Sequence, residues 1–249
     1  PELTRARPDG TGPFMHIGLI GGIGVAATLV YYERLTSAIL ARGHVPELTI
    51  VHADAATLLA NNTADNRTAQ TDIYCRLIAR LAAAGAECAA ITSLGGHFCF
   101  AETKAVSPLP LVSGIAPLDQ VFADKGITRV GLLGTESAMR TRLYGQMHTH
   151  AIAPADPGAV GTAYGAMAVH GRASEQDVDF ILAAGQALID AGAEAVLLAG
   201  TDLGLVFDRV DPPYPVIDAL DAHVAHLADL ATGAVQLTSR AGSDSVAPC

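Results

Sequence analysis

The sequence predicts an α/β protein of two pseudo-symmetric parallel-sheet lobes with the active site between them. The first observation is an internal repeat, in which His16–Gly22 is echoed by Arg129–Thr135. A second echo pairs Leu81–Glu87 with Leu188–Glu194, and both segments end in Gly-Ala-Glu. The third observation is that short apolar runs alternate with segments of helical periodicity, which is typical of βαβ units. Two related halves therefore each supply strand ends to a common site.

Short apolar runs, several of them β-branched, are predicted as buried parallel strands. They are Ile17–Ile20, Leu48–His52, Cys88–Ile91, Leu111–Val112, Val130–Leu133 and Ala195–Ala199. Segments with apolar residues at three- and four-residue steps are predicted as helices. They are Ala27–Ala41, Ala69–Ala84, Ile115–Lys125, Arg140–His148, Glu175–Ala191 and Asp218–Leu230. Ser174 with Asp177 resembles a capping box, and Gly43, Gly85, Gly126 and Gly192 are expected as helix C-caps.

The repeat and the composition of the termini predict the domain organisation. We expect a flexible extension over 1–15, a first lobe over 16–113 and a second lobe over 114–217. A helix over 218–231 is expected to pack back on the first lobe, and 232–249 reads as a flexible tail. The polar N-terminal segment lacks the apolar stretch of a signal peptide. No apolar run is long enough to span a membrane.

Composition narrows the classes of partner. The net charge of −10 argues against nucleic acid, which binds to basic surfaces. The four cysteines lack zinc-ligand spacing, so we expect no metal. Cys75 and Cys88 lie in apolar contexts and are expected as buried free thiols in a reducing cytoplasm. We expect a small-molecule carboxylate or carbonyl substrate, no membrane partner and no cofactor, and a homodimer is left open.

Two polar turns follow equivalent predicted strands, where ligands of parallel sheets bind. The glycine turn after the first strand contains Gly22, and Thr135 and Ser137 follow the equivalent strand of the second half. Each turn has two interpretations: a backbone cradle for an anion, or simple strand–helix packing and helix capping. The full G-x-G-x-x-G pattern is missing, so a dinucleotide site is not expected.

These segments resemble the cofactor-independent aspartate/glutamate racemase superfamily over roughly Met15 to Leu230. The turn from Ser93 to His97 resembles the first catalytic motif of that family, usually Cys-Asn-Thr-x-His. The turn Gly200-Thr201-Asp202 resembles its second motif, usually Cys-Thr-Glu. The resemblance implies a two-lobed fold and proton transfer at the α-carbon of a small substrate.

The departures from the family pattern bear on the chemistry. The family uses two thiols on opposite faces of the α-carbon, and Ser93 and Gly200 stand in their places. A serine hydroxyl is a weak base unless a neighbour activates it, and glycine has no side chain, so two-thiol racemisation is not expected. His52 and His170 lie near positions where the family usually has cations, so a monoacid or neutral carbonyl compound is the better substrate.

The candidate catalytic residues are Ser93, His97 and Asp202, and the candidate substrate-binding residues are Gly22, His52, Thr135, Ser137, Gly200 and Thr201. His97 suits general acid/base chemistry, but a buried histidine that hydrogen-bonds a backbone carbonyl fits equally well. Asp202 is either a base or a helix cap. Ser93 is expected to donate a hydrogen bond rather than to attack.

Two functions remain open on the sequence. The first is an enzyme of isomerase or lyase/decarboxylase type that works through an enolate-like intermediate, because one oxyanion-binding site serves all of these reactions. Retention of His97, Thr201 and Asp202 favours it. The alternative is a catalytically inactive racemase homologue that acts as a ligand-binding or regulatory protein, which the loss of both thiols favours.

Overall fold

The computed structural model describes residues 15–22 and 25–237. Most of the extension expected over 1–15, part of the glycine turn and the last residues of the expected tail lie outside the described residues. The chain forms two compact units. The first holds the described residues up to Thr92, Cys99–Ser113 and the residues from His223 on, and the second holds Ser93–Phe98 and Gly114–Ala222. Thus Ser93–Phe98, which falls within the range expected for the first lobe, belongs to the second unit.

The first unit contains a parallel four-stranded sheet with strand order β2-β1-β3-β4. Its strands are β1 (Ile17–Gly21), β2 (Leu48–His52), β3 (Cys88–Ile91) and β4 (Leu111–Val112). Its helices are α1 (Val25–Ala41), α2 (Ala55–Thr63), α3 (Arg67–Ala83) and α4 (Phe100–Val106). β1 and β3 are fully buried along their length, as expected of inner strands in a parallel sheet.

The second unit repeats this topology with strand order β6-β5-β7-β8, again all parallel. Its strands are β5 (Arg129–Gly134), β6 (His150–Ile152), β7 (Ala195–Ala199) and β8 (Val216–Asp218). Its helices are α5 (Leu118–Asp124), α6 (Glu136–Arg140), α7 (Pro157–His170), α8 (Glu175–Asp190) and α9 (Gly204–Phe207). The last helix, α10 (Ala219–Ala231), contributes its residues from His223 on to the first unit. The predicted α/β class with two parallel-sheet halves is confirmed.

The repeat extends to individual packing contacts. A Cβ atom added to Gly18 would lie 2.8 Å from Leu81 Cδ1, and one added to Gly131 would lie 2.7 Å from Leu188 Cβ. The two leucines are the equivalent residues of the second sequence echo. Each half therefore brings a helix against its central strand at a glycine, because any larger side chain would push the helix away.

A carboxylate holds the start of each central strand in the same way. Glu87 Oε2 accepts a hydrogen bond from His16 N at 2.8 Å, and Glu87 N donates to His16 O at 2.9 Å. In the second unit Glu194 Oε2 accepts from Arg129 N at 3.1 Å, and Glu194 N donates to Arg129 O at 2.9 Å. The shared Gly-Ala-Glu thus fixes the register of the strand that follows it.

The helix ends predicted at Ser174, Gly85 and Gly192 are confirmed. Ser174 and Asp177 form a capping box at the start of α8, and Gly85 and Gly192 have φ angles of 91° and 97° at the turns after α3 and α8. Such left-handed conformations favour glycine.

The helix predicted over Arg140–His148 is wrong. α6 ends at Arg140, and the chain continues through a 3₁₀ turn over Leu143–Gly145. Asp119 accepts hydrogen bonds from the backbone N–H groups of His148 and Thr149, which directs this segment away from a helix and into β6. β6, β8, α2 and α7 were not predicted from the sequence.

Cysteine chemistry differs from expectation at one position. Cys75 is disulfide-bonded, so the expectation of a free thiol there is wrong. Cys88 and Cys99 are free and buried. Burial raises the pKa of the Cys88 thiol to about 12, so it stays protonated and unreactive. Within the described ranges, no helix is long and apolar enough to cross a membrane.

We expect Gly131→Ala to lower the free energy of unfolding by about 1–3 kcal/mol, because the new methyl group would overlap Leu188. Gly165→Ala is the control, since Gly165 lies in α7 with open space around its Cβ position; it should be neutral or stabilise by up to about 1 kcal/mol. Urea unfolding followed by circular dichroism measures both. Equal effects of the two substitutions would contradict the packing described for the repeat.

Candidate functional site

His97 is fully buried in the 3₁₀ turn Leu94–Cys99 that follows β3, and both of its ring nitrogens are occupied. Gly114 N donates to His97 Nε2 at 2.9 Å, so Nε2 is the unprotonated nitrogen. Nδ1 must then carry the proton and donate it to Ser93 O, also at 2.9 Å. Burial lowers the pKa of His97 to about 4. The ring thus ties the Ser93 turn to the chain at Gly114 as a neutral group.

Ser93 and Gly200 occupy equivalent ends of the two inner strands. Ile20 of β1 pairs with Ile91, two residues before Ser93. Leu133 of β5 pairs with Leu198, two residues before Gly200. Because Ile20 and Leu133 are themselves equivalent in the sequence repeat, the register agrees with the equivalence predicted for Ser93 and Gly200. Ser93 is 6% exposed, and its carbonyl, not its hydroxyl, faces the His97 ring.

Tyr164 fills the space that a side chain at position 200 would take. A Cβ atom on Gly200 would lie 2.5 Å from Tyr164 Cε2 and 2.8 Å from its hydroxyl oxygen. Gly200 has φ −160°, an extended conformation that any residue adopts. The ring of Tyr164 is therefore what excludes a side chain here.

Asp202 is the one predicted catalytic residue with a buried side-chain oxygen that has no hydrogen-bond partner among the described residues. It is 4% exposed, in the 3₁₀ turn Thr201–Leu203 after β7. Tyr164 donates its hydroxyl hydrogen to Asp202 Oδ2 at 3.1 Å, whereas Asp202 Oδ1 has no hydrogen-bond partner among the described residues. Burial raises the pKa of Asp202, and the Tyr164 hydrogen bond opposes that rise. A buried oxygen without a partner is costly unless a ligand supplies one.

The side chains of Thr135, Ser137 and Tyr144 form a hydroxyl cluster in the second unit. Thr135 Oγ1 lies 3.3 Å from Ser137 Oγ, which lies 3.4 Å from the Tyr144 hydroxyl. Thr135 also caps α6 by accepting from Ala138 N at 3.2 Å, as its capping interpretation expects. The position of a Cβ on Gly95 would be 3.4 Å from Ser93 Oγ and 3.9 Å from Thr135 Cγ2, which places Ser93 beside this cluster.

The turn that carries Tyr144 is conformationally strained. Arg142, Leu143 and Tyr144 have φ angles of 52°, 53° and 61°, and left-handed non-glycine residues cost about 1–3 kcal/mol each. Gln146 Nε2 donates to His97 O at 2.8 Å, which fastens this turn to the Ser93 turn. Tyr144 also interacts electrostatically with Tyr164, so the hydroxyl cluster and the Tyr164–Asp202 pair are neighbours.

The remaining predicted site residues are Thr201, Gly22 and His52. Thr201 is half-buried at the start of its 3₁₀ turn. Gly22 and His52 belong to the first unit. A Cβ on Gly22 would lie 2.7 Å from Leu58 Cδ1, which supports the packing interpretation of that glycine. His52 is exposed at the end of β2. The next residue in the chain, Ala53, lines a groove of about 230 Å³ in this unit. The other lining residues are Asp54, Thr57, Leu58, Ile73, Arg76, Leu77 and Arg80.

Sequence reasoning missed Tyr144 and Tyr164. Neither belongs to a motif. Tyr164 contacts Asp202, 38 residues later in the chain, and Tyr144 contacts Ser137, seven residues earlier. The only sequence signal for Tyr164 is Gly200, because the space that a side chain would take at position 200 has to be filled by another residue. In the part of the chain that the structure describes, no group of His, Cys, Asp and Glu side chains is arranged to hold a metal ion.

A family model described as Asp/Glu/Hydantoin racemase matches residues 20–227. The chain belongs to this racemase family. No curated protein sequence matches it. In this chain the Tyr164–Asp202 pair stands beside Gly200.

Solved structures share the racemase fold. A proposed Asp/Glu racemase from Yersinia pestis is 22% identical, with a TM-score of 0.74, over 87% of this chain and 99% of that chain. An aspartate racemase homologue from Pyrococcus horikoshii OT3 is 23% identical, with a TM-score of 0.70 and the same coverage. An aspartate racemase from Picrophilus torridus is 21% identical, with a TM-score of 0.67, over 88% of this chain and 94% of that chain. These likenesses show the fold.

His97 should make stability depend on pH. The unfolded chain protonates this histidine near pH 6.5 and the folded chain only near pH 4, so the unfolded state binds more protons between these values. The free energy of unfolding should therefore fall by about 3 kcal/mol as the pH drops through this window. Urea unfolding of the wild type and His97→Gln at several pH values measures the difference between them.

The control for the pH experiment is His170→Gln, since His170 is exposed. It should keep the pH dependence of the wild type. An NMR titration of His97 in the folded protein provides a second readout if His97→Gln does not fold. A folded-state pKa near 6.5 would contradict the buried, doubly hydrogen-bonded ring.

Gly200→Ala should destabilise the protein by about 1–3 kcal/mol, because its methyl group would overlap the Tyr164 ring. The same substitution in a Tyr164→Ala background should cost less, with an interaction energy of about 0.5–3 kcal/mol. Urea unfolding of the two single variants and the double variant gives this value. Additive effects would show that Tyr164 does not fill the Gly200 position.

Proposed function

We propose that this member of the racemase family is a cofactor-independent enzyme that acts on a small carboxylate or carbonyl compound through an enolate-like intermediate. Its reaction is an isomerisation or a lyase-type step such as decarboxylation, without the two-thiol mechanism. The observation that carries the proposal is Asp202, a buried carboxyl group with one oxygen held by Tyr164 and the other without a partner among the described residues.

Asp202, rather than His97, suits the role of proton-transfer group. Both ring nitrogens of His97 are hydrogen-bonded to backbone groups, and a general base needs a free position within reach of the proton that it takes. Asp202 Oδ1 offers such a position. Burial raises the pKa of Asp202, which strengthens it as a base relative to an exposed carboxylate.

The hydroxyl cluster supplies neutral hydrogen-bond donors for an enolate oxygen. Thr135 Oγ1 lies 3.3 Å from Ser137 Oγ, Ser137 Oγ lies 3.4 Å from the Tyr144 hydroxyl, and Ser93 lies beside them. Donors fixed before the reaction stabilise the charge that develops in the transition state. Ser93 fits this role because the His97 ring hydrogen-bonds its carbonyl oxygen and not its hydroxyl. The ring therefore does not remove the hydroxyl proton.

The substrate class follows from the chemistry of these donors. Hydroxyl groups hold a carbonyl or a single carboxylate, whereas tight recognition of a second carboxylate favours arginine. A monocarboxylate or a neutral carbonyl compound is therefore the proposed substrate. Hydantoins, which appear in the description of the family model, are neutral cyclic carbonyl compounds of this kind.

In the proposed first step Asp202 Oδ1 takes the α-proton. The C–H bond breaks, an O–H bond forms at Oδ1, and the electron pair moves to the carbonyl oxygen as the enolate. For an isomerisation Oδ1 gives the proton to a different carbon of a conjugated enolate, so that a double bond moves. For a decarboxylation the enolate forms instead by loss of carbon dioxide, and the protonated Asp202 delivers the proton to the carbon.

One observation favours the second candidate function, a ligand-binding protein without turnover. His97 faces the carbonyl of Ser93 and leaves its hydroxyl unactivated, so one of the two family proton-transfer positions is inert. Such a protein would bind the same monocarboxylates or carbonyl compounds through the hydroxyl cluster and Asp202. Turnover separates the two functions.

We expect the protein to catalyse hydrogen–deuterium exchange at the α-carbon of at least one compound in a panel of lactate, mandelate, alanine and 5-methylhydantoin. Proton NMR in heavy water measures the rate. Asp202→Asn should lower it by about 10²–10⁴, as expected on loss of an acid/base group. Asp190→Asn, which changes an exposed carboxylate at the end of α8, is the matched control and should exchange at the wild-type rate.

Two results would contradict the proposal. Saturable binding of a panel compound without exchange would favour the ligand-binding function. Ready conversion of L-aspartate or L-glutamate to the D form by the wild type would show that the site works without its two usual thiols in a way that this mechanism does not provide.

A further inference from the structure

An aromatic ring occupies the space beside Gly200. The Tyr164 ring lies 2.5 Å from the position of a Cβ on Gly200, so a side chain at that position would have to displace the ring. The same tyrosine donates to Asp202 Oδ2 and leaves Oδ1 as the one oxygen of that carboxyl group without a described partner. One residue thus fills the empty position and orients the adjacent carboxylate.

We propose that this is a one-base site, in which Asp202 Oδ1 removes and returns the proton on a single face of the substrate while Tyr164 holds Oδ2. The inference rests on the proposed function and adds its stereochemistry. Tyr164 is a positioning residue, because it acts through Asp202 and fills the Gly200 space. The catalytic residue is Asp202.

The step balances within this pair. Asp202 Oδ1 gains the proton as the α C–H bond breaks, and the electron pair passes to the carbonyl oxygen of the substrate. The Tyr164 O–H bond stays intact throughout, and its hydrogen remains hydrogen-bonded to Oδ2. In heavy water the proton on Oδ1 exchanges with solvent deuterium before the C–H bond re-forms. The same Oδ1 then delivers the deuteron to carbon, and the carboxylate is restored.

Tyr164 is unsuited to transfer a proton itself. Burial, followed by the negative charge of Asp202, raises the pKa of Tyr164 well above its ordinary value. Its hydroxyl hydrogen is already donated to Asp202. Tyr144, its other ionisable neighbour, also raises the pKa of Tyr164. Tyr164 is thereby kept as a neutral donor.

Ser93 does not supply a second base either. Its carbonyl accepts from His97 Nδ1, and His97 Nε2 is taken by Gly114 N. The one histidine of this turn is therefore committed to the backbone and leaves the serine hydroxyl without an activating partner in that ring. A hydroxyl in this state donates a hydrogen bond but removes no α-proton.

The groups that face Asp202 determine the pH dependence of the site. Tyr164 from α7 donates to Asp202 and lowers its pKa, whereas burial raises it. Tyr144 acts on the pair through Tyr164. Removing the Tyr164 hydroxyl takes away the lowering contribution, so the pKa of Asp202 should rise in Tyr164→Phe. The acid limb of the exchange rate should then move to higher pH.

The experiment measures exchange and configuration together. The separated enantiomers of mandelate and of 5-methylhydantoin are incubated with the full chain in heavy water, and deuterium at the α-carbon and enantiomeric excess are followed in parallel. The pH profile of exchange is measured for the wild type, Tyr164→Phe and Tyr214→Phe. Tyr214 is the matched control because its hydroxyl donates to the backbone oxygen of Leu182, in contact with α8.

The one-base inference expects deuterium to enter one enantiomer with its configuration retained, and expects the acid limb to move only in Tyr164→Phe. Exchange accompanied by racemisation at the same rate would overturn the single-face assignment and leave the proposed function standing. An acid limb that moves equally in both tyrosine variants, or in neither, would overturn the role of Tyr164.

A separate readout distinguishes failure of the inference from failure of the function. A carbon-13 NMR titration of Asp202, assigned with Asp202→Asn, reports its pKa without substrate. If Tyr164 holds Oδ2, the pKa of Asp202 should be higher in Tyr164→Phe and unchanged in Tyr214→Phe. Equal pKa values in all three proteins would overturn the role of Tyr164. Absence of exchange with every probe would overturn the proposed function and the single-face stereochemistry with it.

Discussion

The close approach of a helix to the central strand of each sheet is the constraint on which the rest of the structure depends. Gly18 admits Leu81 in the first unit, and Gly131 admits Leu188 in the second. The Gly-Ala-Glu that follows each of these helices then hydrogen-bonds the start of the central strand. Together these contacts set the register of β3 and β7, and so determine which residues emerge at their carboxyl ends. Ser93 and Gly200 are at equivalent strand ends for this reason.

The sequence predicted those parts of the fold in which local and tertiary signals agree. The inner strands are short apolar runs. The capping box at the start of α8 is recognisable from the residue types of Ser174 and Asp177. α7 was missed because its alanines and glycines carry no clear apolar face. The Arg140–His148 helix was predicted from periodicity, but Asp119 captures the backbone of His148 and Thr149. A long-range hydrogen bond of this kind leaves no trace in a local pattern.

The candidate site was predictable to a similar depth. Motif spacing located the turns of Ser93 and Asp202, and it left the role of His97 open between chemistry and structure. The hydrogen bonds of its two ring nitrogens favour the structural role. Tyr164 could not be found from spacing, because the relation between an absent side chain and a distant ring exists only in three dimensions. At Gly200 the volume that a side chain would take is filled by the Tyr164 ring.

The strained turn over Arg142–Tyr144 has a mechanical consequence. Tyr144 contributes a hydroxyl to the cluster, and Gln146, two residues later, is fastened to the carbonyl of His97. The left-handed region that these three residues occupy is small, which limits how far the turn can deform locally. A ligand that displaces the Tyr144 hydroxyl would therefore pull on the Ser93 turn through Gln146. The donor group and the backbone around His97 would move as one body, and neither could adapt to a new ligand independently of the other.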